Sequence, residues 1–160
     1  KKISQDVYLL QHELNELPEQ IQRLFVKAKE AAKNAHSPYS HFQVGAALKM
    51  EDGSVFSGSN QENAAYPAGL CAERVTMFSA KAQNPNLAVE CIAIVAKHID
   101  AKDYQYATPC GGCRQVMNEY EEKQKKPIRV YLMAEDNQVL ESWSIENLLP
   151  FKFTADVLKQ

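Results

Sequence analysis

The order of apolar and polar residues predicts a helix, a breaker and a hairpin in the first part of the chain. From residue 18, apolar side chains recur at helical spacing, which predicts a helix over 18–35. A half-buried strand is predicted over 42–50, where the apolar residues alternate. The Asp52-Gly53 dipeptide then predicts a tight turn into a second strand over 54–59. The apolar stripe of the helix comprises Ile21, Leu24, Phe25, Ala28, Ala31, Ala32 and Ala35.

The rest of the chain alternates between helical segments and single apolar strands. Because such an order implies crossover connections, the predicted fold is α/β, with a mixed sheet flanked by helices on both faces. Residues 18–160 are predicted to form one domain, and 1–17 an N-terminal extension that is either a short helix or a loosely held segment. The predicted elements are helices over 71–83, 110–123 and 144–149, strands over 90–97, 128–133 and near Val139, and a turn at Asp136-Asn137.

The charge balance argues against a polyanionic partner. The chain has 18 Lys and Arg against 20 Asp and Glu, so its total charge indicates no surface for nucleic acid or an anionic membrane. No stretch approaches the length of a membrane span, and the first residues lack the apolar run of a signal peptide. We therefore expect a soluble, cytoplasmic protein that binds a small, nearly neutral molecule.

The four cysteines favour chemistry over crosslinking. In a small secreted protein they would allow two disulfides, whereas thiols in a reducing compartment more often bind metals or take part in catalysis. Cys91 opens the apolar run 91–96 and is interpreted as a buried structural thiol. Cys71, Cys110 and Cys113 remain as the candidate site.

The Thr108-Pro109-Cys110-Gly111-Gly112-Cys113 segment favours a metal site at the start of a helix. Thr108 is the predicted cap, and Pro109 suits the first helical position. Cys110 and Cys113 then direct their sulfurs to the same side, where the helix dipole favours thiolate. A C-x-x-C pair alone remains ambiguous, because redox pairs and structural zinc sites share its spacing.

The Cys71-Ala72-Glu73-Arg74 segment adds a third thiol and a carboxylate at the start of another predicted helix. Structural zinc normally takes four protein ligands, whereas catalytic zinc takes three and keeps a position for water, so three thiols favour catalysis. Glu73 is then placed to act as a general acid and base on that water. The alternative for Glu73 is a solvated acid that stabilises the helix N-terminus.

Four blocks of sequence carry a family resemblance. The first comprises residues 38–42 (PYSHF) and 44–47 (VGAA). The others are residues 60–66 (NQENAAY), 71–74 (CAER) and 109–115 (PCGGCRQ). Over most of the chain after the extension, the sequence resembles the small zinc-dependent cytidine deaminases that act on free nucleosides. The resemblance implies a cytidine deaminase-like three-layer fold, a zinc ion, deamination of cytidine and deoxycytidine in pyrimidine salvage, and a homotetramer.

The resemblance also implies substrate contacts outside the metal motif. Asn60 and Glu62 correspond to the pair that grips the ribose hydroxyls, and Phe42 to the aromatic residue against the ligand ring; Ala72 is a further expected contact. Residues two apart in an extended segment point the same way, which suits such a pair. Without the resemblance, the pair would be interpreted as a loop satisfying its own backbone, and Phe42 as a core residue.

Further expected residues support the metal or come from neighbouring subunits. Arg74 corresponds to the arginine that hydrogen-bonds the ligand sulfurs, and a surface ion pair is its alternative. Gln115 and Arg114 are supporting candidates. Tyr66 and Phe153 correspond to aromatics that reach a neighbour's site, although Phe151 also follows Pro150 and matches comparably.

The resulting hypothesis is hydrolytic deamination, in which zinc activates a water to attack C4 of cytosine while Glu73 passes the proton to N3. One alternative is a deaminase for another nucleoside or for a polynucleotide base. The Asn60 and Glu62 pair favours a free nucleoside, and basic residues cluster little outside 123–126. The other alternative is a non-catalytic zinc module whose metal only supports folding.

Overall fold

A six-stranded mixed sheet organises the described part of the chain. The structure is a computed structural model that describes residues 1–158. Four α-helices and several short 3-10 turns connect the strands. The elements are β1 (Leu10–Glu13), α1 (Glu19–Ala32), β2 (Phe42–Met50), β3 (Val55–Ser59), α2 (Ala72–Gln83), β4 (Val89–His98), α3 (Gly111–Gln124), β5 (Arg129–Met133), β6 (Gln138–Ser142) and α4 (Ile145–Leu148).

The strand order is β1-β6-β5-β4-β2-β3, and only β4 and β5 among these strands run parallel. A parallel pair needs a crossover connection, which α3 provides. In the antiparallel β2 and β4 pair, Phe42 lies opposite His98, so the first residue of β2 meets the carboxyl end of β4. The mixed sheet predicted from the sequence is therefore confirmed.

Helices cover both faces of the sheet, as predicted. On one face α1 packs Leu24, Phe25 and Ala28 into a buried cluster with residues of β2, β4 and β5. The contact is close at Gly45 of β2, where an added Cβ atom would lie 2.0 Å from the carbonyl oxygen of Ala28. On the other face α2, α3 and α4 share a second buried cluster that includes Met77 and Met117.

The element boundaries follow the apolar pattern closely. Strand β2 has the predicted bounds, and Gly53 in the following turn has a φ of 86°, as the turn prediction requires. The prediction was wrong at the start of α3, since Thr108 is not its cap and Pro109 is not its first residue. Cys110 is the N-cap, with extended backbone angles, and Gly111 is the first helical residue.

The N-terminal segment contributes the edge strand β1, which the sequence did not predict. β1 pairs antiparallel with β6 from the Leu10–Glu141 pair to the Glu13–Gln138 pair. Its sequence, LQHE, has a single apolar residue and so no apolar alternation to mark a strand, and the pairing depends on the edge that β6 offers. The division into an extension over 1–17 and one domain over 18–160 stays a prediction. Among residues 1–158, no helix has the length and apolar character to cross a membrane.

Candidate active site

Three cysteine sulfurs meet where the N-termini of α2 and α3 converge. The Sγ atom of Cys110 lies 3.8 Å from that of Cys71 and 3.5 Å from that of Cys113, and all three lie within 4.8 Å of one another. Cys71 and Cys110 are the N-cap residues of α2 and α3, and Cys113 is in the first turn of α3. Unpaired backbone N–H groups and both helix dipoles therefore favour negative charge at the cluster.

The thiols of this cluster differ in acidity. A hydrogen bond from the Cys113 thiol, assisted by one from Arg74, lowers the pKa of Cys71 to about 5. The hydrogen bond with Cys71 is the main cause that raises the pKa of Cys113 far above its usual range, and burial is the next. Thiolate is therefore favoured at Cys71. A divalent ion would release the remaining protons, since thiolate is the form that binds metal.

The donor set fits zinc. Tetrahedral zinc with sulfur ligands at about 2.3 Å separates those sulfurs by about 3.8 Å, close to the two shorter separations here. No histidine or carboxylate joins Cys71, Cys110 and Cys113 in the metal-ligand cluster found among residues 1–158. Three thiolate ligands leave the fourth position of a zinc ion free, as in catalytic sites.

Glu73 lies beside the cluster with its carboxyl group withdrawn from solvent. The side chain belongs to the first turn of α2 and is 5% exposed. Burial raises the pKa of Glu73 to about 7, and the negative charge of Cys71 adds to that effect. A solvated acid at a helix start would show neither property, so the structure disfavours that alternative for Glu73.

Arg74 directs its guanidinium group to the sulfurs. Its Nη2 atom lies 3.8 Å from the Sγ atom of Cys71 and donates to the carbonyl oxygen of Gly69 at 3.4 Å. Hydrogen bonding to Cys71, and the charges of Cys71 and Cys113, raise the pKa of Arg74 further. The Nε atom of Arg74 is one of two buried side-chain polar atoms in residues 1–158 without a hydrogen-bond partner. The surface ion pair considered as an alternative is absent from the ion pairs found in that range.

A cavity of about 770 Å³ opens beside the sulfurs. Cys71, Cys110 and Glu73 line it, whereas Cys113 is buried behind them. Ile94 of β4 lies in its wall. The predicted residues Phe42, Asn60, Glu62, Tyr66 and Arg74 line the same cavity.

The comparisons with known proteins agree with this geometry. The family model of the cytidine and deoxycytidylate deaminase zinc-binding region matches residues 18–127. The chain belongs to this deaminase family. A cytidine deaminase of Halalkalibacterium halodurans is 44% identical over 135 residues, which are 84% of this chain and 95% of that relative.

Solved structures of the deaminase family share the fold. The crystal structure of cytidine deaminase from Burkholderia pseudomallei matches with a TM-score of 0.70 and 38% identity, over 86% of this chain and 100% of that one. The cytidine deaminase structure from Mycobacterium tuberculosis matches with a TM-score of 0.63 and 31% identity, over 83% and 96%. The predicted cytidine deaminase-like fold and the predicted zinc ion are confirmed by these matches together with the sulfur cluster.

Within this deaminase site, Asn60 and Glu62 are already engaged with nearby groups. The Oδ1 atom of Asn60 accepts from the backbone N–H of Val44 at 2.8 Å, and its Nδ2 atom donates to the carbonyl oxygen of Phe42 at 2.9 Å. Glu62 accepts from the backbone N–H of Tyr39 at 2.9 Å and from the Ser40 hydroxyl, which lower its pKa. An amide and a carboxylate each retain capacity for a further bond, so a structural role does not exclude a ligand role.

Besides Cys113 and Arg114, three predicted residues lie outside the cavity wall. Ala72 is fully buried in the core. Gln115 donates its Nε2 atom to the carbonyl oxygen of Phe153 at 3.1 Å, and the ring of Phe153 is exposed. Their proposed contacts with substrate or metal therefore stay predictions, and that of Phe153 requires a second subunit.

Sequence reasoning missed several residues of the cavity wall. Ser40 lines the cavity and holds Glu62, although the sequence assigned no role to it. Thr108 and Ala107 line it as well, from the loop before α3. The position of Ser40 within the PYSHF block was the available signal, whereas the 99–109 loop offers no pattern that predicts its path.

Proposed function

We propose that this protein deaminates cytidine, and deoxycytidine as a second substrate, to the corresponding uridine and ammonia. The observation that carries the proposal is one cavity whose wall holds two sulfurs of the zinc cluster, Cys71 and Cys110, together with the buried carboxyl group of Glu73. Its volume of about 770 Å³ falls in the usual range for small-ligand pockets.

Cys71, Cys110 and Cys113 would hold the zinc ion of this site. When bound, zinc supplies a Lewis acid that makes water a nucleophile near neutral pH. The half-buried Cys71 and the exposed Cys110 border the cavity, so the free metal position is accessible from it.

Glu73 would move the protons of the reaction. Its raised pKa lets the carboxyl group both accept and donate a proton near neutral pH, as general acid–base catalysis requires. It would accept the proton of the attacking water and deliver it to N3 of cytosine. Glu73 would then transfer the proton left on the oxygen at C4 to the exocyclic amine, so that the C4–N bond breaks, ammonia leaves and the C4 carbonyl of uridine forms. In zinc deaminases as a class, a glutamate that is not a ligand has this function.

The substrate would be a free nucleoside. Phe42 would pack against the base, and Asn60 and Glu62, which line the same cavity, would receive the sugar hydroxyls. Such a pair recognises a ribose, whereas a base in a polynucleotide also needs cations for its phosphates. Glu62 carries a negative charge where a backbone phosphate would adjoin the sugar, which disfavours a nucleic acid substrate.

A homotetramer in the cytoplasm, acting in pyrimidine salvage, completes the proposal. Tyr66 lines the cavity rim with 77% of its surface exposed, so an aromatic side chain is available there to a neighbouring subunit. Phe153 is 57% exposed and would serve in the same way. All four cysteines are free, which supports a reducing compartment.

The proposed activity is tested by incubating the zinc-loaded protein with cytidine, deoxycytidine, cytosine and a cytidine-containing oligonucleotide. Ammonia release is measured for each, and zinc content is determined on the same sample. Release from both nucleosides, with little from the base or the oligonucleotide, is expected. A protein that binds zinc and leaves both nucleosides unchanged would instead be the non-catalytic zinc module.

A further inference from the structure

Arg114 connects the zinc-binding turn to α4. It follows Cys113 in α3 and donates its Nε atom to the carbonyl oxygen of Pro109 at 2.8 Å. Its Nη1 atom donates to the carbonyl oxygen of Leu148, the last residue of α4, at 2.7 Å. One guanidinium group therefore ties the residue before Cys110 to α4. The position of that sulfur depends on where α4 holds Arg114.

Asn147 connects α4 to the N-terminal segment. Its side chain is buried, with 6% of the residue exposed. The Nδ2 atom donates to the carbonyl oxygen of Tyr8 at 2.7 Å, and the Oδ1 atom accepts from the backbone N–H of Tyr8 at 3.1 Å. The amide thus pairs with both backbone groups of Tyr8, in the manner of a neighbouring strand. The same Nδ2 atom also donates to the Ser142 hydroxyl at 2.7 Å.

Apolar packing brings the same segment to the metal-binding turn. Residues 7–9 line a small cavity of about 330 Å³ together with Thr108 and Arg114. Leu9 packs against the buried cluster that includes Cys113 and Leu148. The N-terminal segment therefore makes a polar contact with α4 at Asn147 and, at Leu9, an apolar contact with the cluster that contains Cys113.

We propose that residues 7–9 and Asn147 form an N-terminal brace that positions the zinc-binding turn, residues 109–113, by way of Arg114. Tyr8 and Asn147 are positioning residues, since they touch neither the metal ligands nor the substrate cavity. Residues 7–9 and Asn147 lie outside the family match over residues 18–127. Mutation of residues that orient the metal ligands commonly lowers metal affinity or activity by about 10–100-fold.

A matched pair at Tyr8 tests the polar contact directly. Tyr8→Pro removes the backbone N–H group that donates to the Oδ1 atom of Asn147. Tyr8→Ala keeps that N–H group and shortens a side chain that is mostly exposed. The zinc dissociation constant is measured by competition with a chromophoric chelator, on samples whose folding is checked by circular dichroism. We expect about a tenfold weaker affinity in Tyr8→Pro and the wild-type value in Tyr8→Ala.

A double-variant cycle tests whether Asn147 acts through Arg114. Asn147→Ala and Arg114→Ala are each expected to weaken zinc binding by about tenfold, and the combined variant no more than Arg114→Ala alone. The absorption bands of the cobalt-loaded protein are expected to shift in the single variants, because they report the geometry of the sulfurs. Wild-type affinity in folded Asn147→Ala, or losses that multiply in the combined variant, would overturn the proposal.

This inference rests on the zinc site and not on the choice of substrate. Zinc affinity and cobalt spectra are measured without a nucleoside, so they separate a failed brace from a failed deaminase. If cytidine is turned over, we expect Asn147→Ala to lower kcat at limiting zinc and to leave the KM unchanged. The proposed sugar contacts, Asn60 and Glu62, have their hydrogen bonds with residues 39–44 and not with the residues of the brace.

Discussion

The Nη2 atom of Arg74 lies 3.8 Å from the Sγ atom of Cys71, and both residues belong to the start of α2. The carbonyl oxygen of Gly69 accepts from the same nitrogen and fixes its direction. Three thiolates around a divalent ion carry a net negative charge, which makes bound water harder to deprotonate. The guanidinium group opposes that charge without taking a coordination position.

Replacing Arg74 therefore tests the electrostatics of the metal centre. In Arg74→Ala we expect kcat for cytidine to fall by about 10–100-fold, with little change in KM. Arg74→Lys retains the charge but loses the planar guanidinium group, so its kcat is expected to lie between that of the wild type and that of Arg74→Ala. Steady-state kinetics on samples of equal zinc content check this. Wild-type kcat in Arg74→Ala would show that the charge has no role in turnover.

Glu62 tests sugar recognition separately from the chemistry. Glu62→Gln removes the negative charge of a carboxylate that accepts hydrogen bonds from Tyr39 and Ser40. A hydrogen bond to a charged group is worth about 1.5–3 kcal/mol, so the loss of charge should weaken the bond to a sugar hydroxyl. We expect KM for cytidine to rise by about tenfold or more, with zinc content unchanged. Ser40→Ala, which keeps the charge, should have a smaller effect. A fall in kcat with KM constant would place Glu62 in the chemistry instead.

The apolar pattern predicted the fold well where each element carries its own signal. Strand β2 alternates over nine residues and has the predicted bounds, and α1 follows a stripe of buried side chains. Strand β1 could not be predicted, because its four residues become a strand only by pairing with β6, far away in sequence. Long-range pairing leaves no local pattern.

The same distinction applies to the site. Cys110 and Cys113 lie three residues apart at the start of one helix, and the CAER segment supplied Cys71 as the third thiol, so the sequence predicted the cluster that the structure contains. By contrast, Thr108 reaches the cavity through an irregular loop, and Asn147 matters because α4 lies next to the N-terminal segment. Those contacts follow from tertiary packing.

Glu121 provides a test of the scaffold behind the zinc-binding helix. This buried carboxylate of α3 accepts from the backbone N–H groups of Ile128 at 2.7 Å, Ile145 at 2.8 Å and Glu146 at 3.0 Å. Glu121→Gln replaces one acceptor oxygen with a donor, so we expect the free energy of unfolding to fall by about 2–3 kcal/mol. Denaturant unfolding of zinc-saturated protein measures it. The exposed Glu119, changed to Gln, is the control and should shift stability by at most about 0.5 kcal/mol.

Metal removal should separate the cysteines into two groups. Chelation is expected to abolish ammonia release from cytidine, and added zinc to restore it. Cys110→Ser should lose both zinc and turnover, because the cluster needs its third thiolate. Cys91→Ala should keep both, since Cys91 lies in the core cluster on the opposite face of the sheet from Cys113. Zinc loss in Cys91→Ala would contradict this assignment.

The most direct test of the account measures zinc content and cytidine turnover together in Glu73→Gln. If three sulfurs hold the metal and Glu73 moves the protons, the variant binds one zinc ion per chain and its kcat falls by about 10²–10⁴-fold. Turnover close to wild type would remove Glu73 from the mechanism. Loss of zinc together with activity would make Glu73 a ligand, which also contradicts the account.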